Sequence, residues 1–186
     1  MVLVNDWSAR DIQSFEYRPL GPFLGKSFAT SVSPWVVPLA ALEPWRVDGP
    51  VQDPEPAGYL RVDEPRGLDV RLSLAVNGCV FSNMTAAGLY WSLAQQLAHL
   101  TVNGAGVRAG DLFASGTISG DRAGEEGSLM EKYAGRRWLA DGDRVTIRGW
   151  CGDPGRGPWL SLGQVDGTVL AQGVMVDPNV QGGGAE

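Results

Sequence analysis

Polar and apolar positions alternate most cleanly just before the middle of the chain. Val70, Leu72, Leu74 and Val76 alternate with Asp69, Arg71, Ser73 and Ala75, the period-two pattern of a half-buried strand. Asn77-Gly78 follows at once and gives a type I′ turn signal. Leu89, Leu93, Leu97 and Leu100 recur at helical spacing and predict one long helix over Ala86–Leu100, ended by Asn103-Gly104. The apolar run Val2-Leu3-Val4 predicts a buried strand over Val2–Asn5. Ser8–Phe15 reads as a short helix with Asp6 or Ser8 as N-cap, Pro19 to Gly25 as turn, and Ser27–Val37 as strand broken by Pro34. Ala41 to Pro65 is loop-like, with prolines at 44, 50, 54, 56 and 65. Later strand-like pieces are Leu112–Ser115, Arg144–Trp150, Trp159–Leu162 and Thr168–Leu170. The pattern predicts a β-rich α+β domain over residues 1–176, with one main helix and a mixed or barrel-like sheet. Residues 177–186 form a Gly-rich tail that reads as disordered. No internal repeat or domain linker interrupts the chain.

Composition narrows the class. The 186 residues are 44% hydrophobic and 19% charged, which suits one folded domain. Its 26 Gly and 12 Pro favour short strands and turns over long helices. The formal net charge is −6 and the longest basic cluster is Arg136-Arg137, so no nucleic-acid footprint is present. No stretch has the length of a membrane span. The two cysteines, Cys79 and Cys151, form no CxxC pair or Cys/His cluster, which argues against zinc and for a reduced, cytoplasmic setting. Met1 leads straight into an apolar strand rather than a signal peptide, so the chain, starting in mid-strand, reads as a fragment or as the product of a mis-called start codon.

Two catalytic motifs fail on spacing. Gly21 and Gly25 have three residues between them, where a phosphate loop needs four, and strand rather than helix is predicted afterwards. In Gly116-Thr117-Ile118-Ser119-Gly120 the serine sits one place late for a nucleophile elbow. His99, the single histidine, lies among helix leucines and reads as a packing or surface residue. Three other residues keep two readings each. Asp6, at a strand end, is a ligand for a hard cation such as Mg²⁺ or Ca²⁺, or an N-cap. Lys26, between Gly25 and Ser27, is a partner for a carboxylate or developing oxyanion, or an ordinary surface lysine. Glu131 orients a general base, or is solvated like Glu125 and Glu126.

A longer constellation decides among these. Asn5-Asp6-Trp7-Ser8-Ala9-Arg10-Asp11-Ile12-Gln13 is followed by Glu16-Tyr17, Pro19-Leu20-Gly21-Pro22-Phe23, Gly25-Lys26-Ser27-Phe28 and Ser33-Pro34-Trp35-Val36-Val37. Further on come Tyr90-Trp91, Gln95-Gln96-Leu97, Val102-Asn103-Gly104, Gly110-Asp111-Leu112, Ala114 to Gly120, Gly127-Ser128 with Glu131, and Asp141-Gly142-Asp143. In this order they resemble the fumarylacetoacetase family, within the wider fumarylacetoacetate hydrolase superfamily. The shorter Asn-Asp-x-Ser-Ala-Arg-Asp pattern runs through the superfamily. The extended Leu-Gly-Pro-Phe and Ser-Pro-Trp-Val-Val blocks are more specific to this family, and the match reaches everything but the tail.

The resemblance implies the C-terminal part of a β-rich catalytic domain with a barrel-like core, usually in a homodimer. The implied activity is metal-dependent hydrolysis of a carbon–carbon bond in a small β-diketo acid, 4-fumarylacetoacetate. Its products are fumarate and acetoacetate, in the last step of tyrosine and phenylalanine breakdown. Asp6 matches the aspartate shared by Ca²⁺ and Mg²⁺ sites; Lys26 and Thr30 match positions of the Mg²⁺ site. Gln13, Tyr17 and Thr117 match substrate contacts. Arg10, Gln13 and Lys26 match groups that stabilise transition-state charge. Glu131 matches the carboxylate that orients a catalytic histidine. That histidine, a further Asp and a Glu-x-Glu pair are absent from the 186 residues. The chain therefore reads as a fragment, weakly active or inactive alone. Two alternatives accompany this reading: an acylpyruvate-type hydrolase of the same superfamily, and a non-catalytic scaffold or dimer partner.

Overall fold

The computed structural model describes residues 1–63, 66–171 and 173. It opens with β1 (Val4–Asp6), α1 (Arg10–Glu16), α2 (Leu24–Ser27) and β2 (Thr30–Val32). A 3₁₀ turn over Leu39–Trp45 leads to β3 (Arg46–Val47), and another over Gly58–Leu60 precedes β4 (Gly67–Leu68). Next come β5 (Val70–Val76), β6 (Cys79–Thr85), α3 (Leu93–Thr101), α4 (Leu129–Tyr133), β7 (Arg144–Gly152) and β8 (Trp159–Thr168).

The alternating segment forms β5 as predicted, burying Val70, Leu72 and Leu74. Asn77 and Gly78 take φ values of 52° and 78°, so the two-residue turn closes β5 onto β6 with Val76 opposite Cys79. The main sheet has the order β6-β5-β7-β8, and every ladder in it is antiparallel. Two small antiparallel ladders, β1–β2 and β3–β4, stand beside it. The fold is thus β-rich α+β with few helices. The expected mixed sheet is antiparallel instead, and the described residues hold no closed barrel, because β6 and β8 end the sheet.

The core gathers Leu3, Val37, Leu42, Val70, Leu72, Leu74, Met84, Cys151, Leu162 and Val165. Leu3 reaches it from the N-terminal segment, and two glycines make room. A Cβ on Gly149 of β7 would lie 2.6 Å from Leu3 Cδ2. A Cβ on Gly167 of β8 would lie 2.7 Å from Trp7 Cζ2. Trp7 Nε1 in turn donates to Ser31 Oγ at 2.9 Å, tying β1 to β2. The stretch carrying Asp6 is thereby pressed onto the sheet at two points.

Several predicted elements change under tertiary competition. The helix expected over Ala86–Leu100 breaks in two: a 3₁₀ turn at Ala86–Gly88, then α3 from Leu93. Ser92 starts α3 with a capping box, its Oγ accepting from Gln95 N at 3.2 Å while Gln95 Oε1 accepts from Ser92 N at 3.0 Å. The buried residue of α3 is Gln95, not a leucine; its Nε2 donates to Gln52 Oε1 at 2.9 Å and Leu60 O at 2.7 Å. Leu100 is 52% exposed. The strand expected over Ser27–Val37 shrinks to β2: Ser27 ends α2, and residues 33–37 form no strand. Leu112–Ser115 is irregular, whereas Trp159–Leu162 and Thr168–Leu170 merge into one strand ending at Thr168. The predicted tail, 177–186, lies outside the described residues, as does Pro65 of the predicted loop.

Asp143 locks the β5–β6 turn to β7. Its carboxylate accepts from Ala140 N at 2.8 Å and Asn77 Nδ2 at 2.7 Å, and Asn77 Oδ1 accepts from Arg144 N at 2.8 Å. The hydrogen bond from Ala140, then that from Asn77, hold the Asp143 carboxyl below the ordinary Asp value. A depressed folded value stabilises above the unfolded pKa of about 4 and is lost as pH falls through the folded one. In chemical denaturation the Asp143→Asn variant is accordingly less stable than wild type at pH 7, and the gap closes on acidification below about pH 4. Leu162 is completely buried. Leu162→Ala costs about 2–5 kcal/mol in the same assay, whereas Leu100→Ala stays within about 0.5 kcal/mol of wild type.

Candidate functional site

Three of the predicted residues converge at the end of β1. Asp6 is its last residue and stands directly opposite Thr30 of β2. Directly opposite residues in an antiparallel ladder share a face. Lys26, from α2, donates from Nζ to Asp6 Oδ2 at 2.6 Å. The lysine side chain is 29% exposed and the aspartate 52%, so the pair opens to solvent. This overturns the N-cap reading of Asp6: α1 is preceded by Ala9, with no side-chain cap. Ser8 is no cap either: the N-cap position is Ala9, and the Ser8 hydroxyl donates to Asp6 O. Lys26 is a surface lysine with a fixed partner, Asp6.

Arg10 and Gln13 stand on α1, and Tyr17 is its C-cap. Tyr17 N donates to Gln13 O at 3.0 Å, and the Arg18 guanidinium lies 5.2 Å over the Tyr17 ring. The α1–α2 contact is unusually close. A Cβ on Gly25 would sit 2.7 Å from Gln13 N and 2.9 Å from Gln13 Cα, and Ala9 N donates to Gly25 O at 2.9 Å. Lys26, next in sequence, is therefore set against the helix that bears Arg10 and Gln13.

Glu16 completes this arrangement, and the residue pattern alone did not single it out. Its Oε1 accepts from Phe23 N at 2.8 Å and Gly25 N at 2.7 Å, and Oε2 accepts from Leu24 N at 3.2 Å. These bonds, the one from Gly25 first, hold its carboxyl below the ordinary Glu value.

Thr117 and Glu131 belong to a second cluster. Glu131 lies in the first turn of α4, where Ser128 is the N-cap and accepts from Glu131 N at 3.2 Å. The Glu131 carboxylate accepts from Ser119 Oγ at 2.9 and 3.0 Å and from Ser128 Oγ at 2.9 Å. Ser119 Oγ also accepts from Gly127 N at 3.0 Å. Thr117 lines the same loop: a Cβ on Gly127 would come within 2.7 Å of Thr117 Cγ2. Glu131 is thus a fixed acceptor rather than a freely solvated carboxylate. The Ser-x-x-Glu spacing at 128–131 is a readable cap signal for half of this network; Ser119 has none. No hydrogen bond or ion pair joins this cluster to the Asp6 cluster among the described residues.

His99 belongs to neither cluster. Its Nδ1 bonds Tyr59 Oη at 2.9 Å, with the two rings stacked. Cys151 is fully buried, and burial first, then Asp69, pushes its thiol up to about 11, which excludes a ready nucleophile. Two open clefts, of about 410 and 350 Å³, lie elsewhere. The larger is lined by Trp35, Trp150, Trp159 and Arg148, the smaller by Asp69, Arg71 and Glu125, and neither includes a predicted site residue.

For a metal ion the donor set is small. Among the described residues no three His, Cys, Asp or Glu side chains come together. One carboxylate does not fit Ca²⁺, which takes about six to eight oxygens. It does fit Mg²⁺, which keeps several waters and accepts one or two carboxylates plus substrate oxygens. Asp6, with the Thr30 hydroxyl across the ladder, is the pair that would hold it. Lys26, an ammonium with no lone pair, stands there as the counter-ion of Asp6.

The family model described as Fumarylacetoacetate (FAA) hydrolase C-terminal matches residues 1–170. The chain belongs to that family. It is 48% identical over 188 residues to a fumarylacetoacetase of Homo sapiens, 47% over 187 to one of Caenorhabditis elegans and 45% over 187 to one of Arabidopsis thaliana. Each comparison covers 91% of this chain and 44% of the relative, so the chain spans less than half the length of the curated relatives it matches. No helix among the described residues is long and apolar enough to cross a membrane.

Gly25 is buried where α2 meets α1, with no room for a side chain. Gly25→Ala forces Cβ into the Gln13 backbone and costs about 1–3 kcal/mol by urea denaturation. The amide signals of residues 9–27 shift in NMR, while those of β5, β7 and β8 stay in place.

Proposed function

We propose that this chain carries part of a hydrolytic site that cleaves the carbon–carbon bond of 4-fumarylacetoacetate to fumarate and acetoacetate, the last step of tyrosine and phenylalanine breakdown. One observation supports this most: three separate elements, β1, α2 and β2, bring Asp6, Lys26 and Thr30 to one place. The relatives named above are all fumarylacetoacetases, which favours this substrate over an acylpyruvate. A cytoplasmic homodimer whose sheet closes into a barrel-like core is the setting proposed with it.

The chemistry asks for a water nucleophile and a sink for electrons. Hydroxide from water adds to a ketone carbon; the bond to the neighbouring carbon then breaks, and its electron pair leaves as the enolate of acetoacetate. Protonation of that enolate completes the two acids. Mg²⁺ held by Asp6 and Thr30 would supply Lewis acidity to the diketone. Lys26 Nζ, paired with Asp6, places a positive charge where the oxyanion develops. Arg10 and Gln13 add hydrogen bonds from α1. Gln13, Tyr17 and Thr117 contact the diketo acid. Glu131, held by Ser119 and Ser128, has acceptor capacity left to orient an imidazole base. His99 does not fill that role, because Tyr59 holds it and no bond joins it to Glu131.

That last point favours a second reading, in which the chain alone is a non-catalytic partner and the base and remaining carboxylates come from outside these 186 residues. Loss of fumarylacetoacetate absorbance, followed with Mg²⁺, with Ca²⁺ and with EDTA, tests whether the chain turns over alone. Under the hydrolase reading turnover is metal-dependent, and Lys26→Met lowers it by about 100-fold, the cost of one oxyanion donor. A folded chain with no turnover under any of these conditions leaves these residues as part of a site that is inactive alone, as either a partial site or a non-catalytic partner predicts.

A further inference from the structure

Glu16 occupies a position that its own helix does not favour. It is the last residue of α1, where the helix dipole is negative and a carboxylate is unfavourable, and no basic residue stands in that last turn. The residue makes sense only through α2. That helix has four residues, far below the length at which a helix holds itself together in water. Its N-cap, Phe23, offers no side-chain oxygen and sits at φ −122° and ψ −86°. The N–H groups of Phe23, Leu24 and Gly25 would point at nothing, and the Glu16 carboxylate accepts all three.

The consequence reaches the ion pair. Holding Gly25 in place sets it against the Gln13 backbone, and the turn bond from Lys26 N to Phe23 O, at 3.2 Å, continues the helix into Lys26. The lysine side chain then spans to Asp6 Oδ2. An exposed pair of this kind contributes too little energy to impose its own geometry. The position of Lys26 is set by the backbone beneath it.

We infer that Glu16 is a positioning residue, which caps α2 from the end of α1 and so holds the Lys26 ammonium at Asp6. The inference rests on the hydrolase reading only for what Lys26 then does; the positioning itself is independent of turnover.

The experiment reads the Asp6–Lys26 contact directly. The Lys26 side-chain ¹³Cε signal of the full chain, assigned through Lys26→Arg, is recorded in EDTA at fixed pH. The shift change caused by Asp6→Asn measures the contact. In the wild-type background this change is present. In Glu16→Ala it falls to near zero, while the amide signals of β5, β7 and β8 keep their positions. Glu16→Gln retains the Oε1 acceptor for Phe23 and Gly25 and loses the oxygen that serves Leu24, so it retains part of the change. An undiminished change in Glu16→Ala overturns the inference. Should Glu16→Ala also displace the sheet signals, Glu16→Gln decides: a reduced change with the sheet signals in place supports the inference, and an unreduced one overturns it. Sheet signals lost in both variants assign Glu16 to folding and overturn it too. No arm uses turnover, so failure here and failure of the hydrolase reading are separate results.

Discussion

The close approach of the N-terminal segment to the main sheet is the constraint on which the site depends. Leu3 lies where a Cβ on Gly149 would be, and Trp7 where one on Gly167 would be. A side chain at either glycine would force Leu3 or Trp7 to shift. Asp6 lies between those two anchors and is carried with them. Thr30 follows because β2 pairs with β1, and Trp7 reinforces that pairing through Ser31. Packing of apolar groups thus decides where a solvent-facing carboxylate stands.

The polar part of the site is organised by backbone, not by the strength of its charges. Exposed ion pairs contribute little, and the Asp6–Lys26 pair is exposed. Hydrogen bonds to fixed N–H groups do the arranging. Glu16 gathers three of them at α2, and Ser119 with Ser128 clamps Glu131 at α4. In both places a carboxylate and a short helix of four or five residues stabilise each other. Preorganised donors and charges of this kind are what a reaction that develops an oxyanion requires.

The hairpin of β5 and β6 was legible because alternation and Asn-Gly are local signals that the fold did not contradict. The long helix was misread because Ser92 and Gln95 close a capping box partway along an apolar repeat, so the cap rather than the leucines sets its start. Asp6, Lys26, Thr30 and Glu131 came from the motif resemblance; residue chemistry alone left each of the acidic and basic ones with two readings. Glu16 and Ser119 stood within the motif blocks, but nothing in the sequence gave either of them a role. Their partners are backbone N–H groups and side chains seven to twelve residues away, fixed by how a loop closes.

Whether the Asp6 and Glu131 clusters form one substrate site is the central question, and ligand mapping addresses it without requiring turnover. Acetoacetate, the smaller product, would be titrated into the isotope-labelled chain with Mg²⁺ and followed by amide NMR. A shared site predicts saturable shifts in residues 6–30 and in residues 117–131, with one common dissociation constant. Shifts centred on Trp35, Trp150 and Trp159, or shifts in one cluster alone, would contradict it.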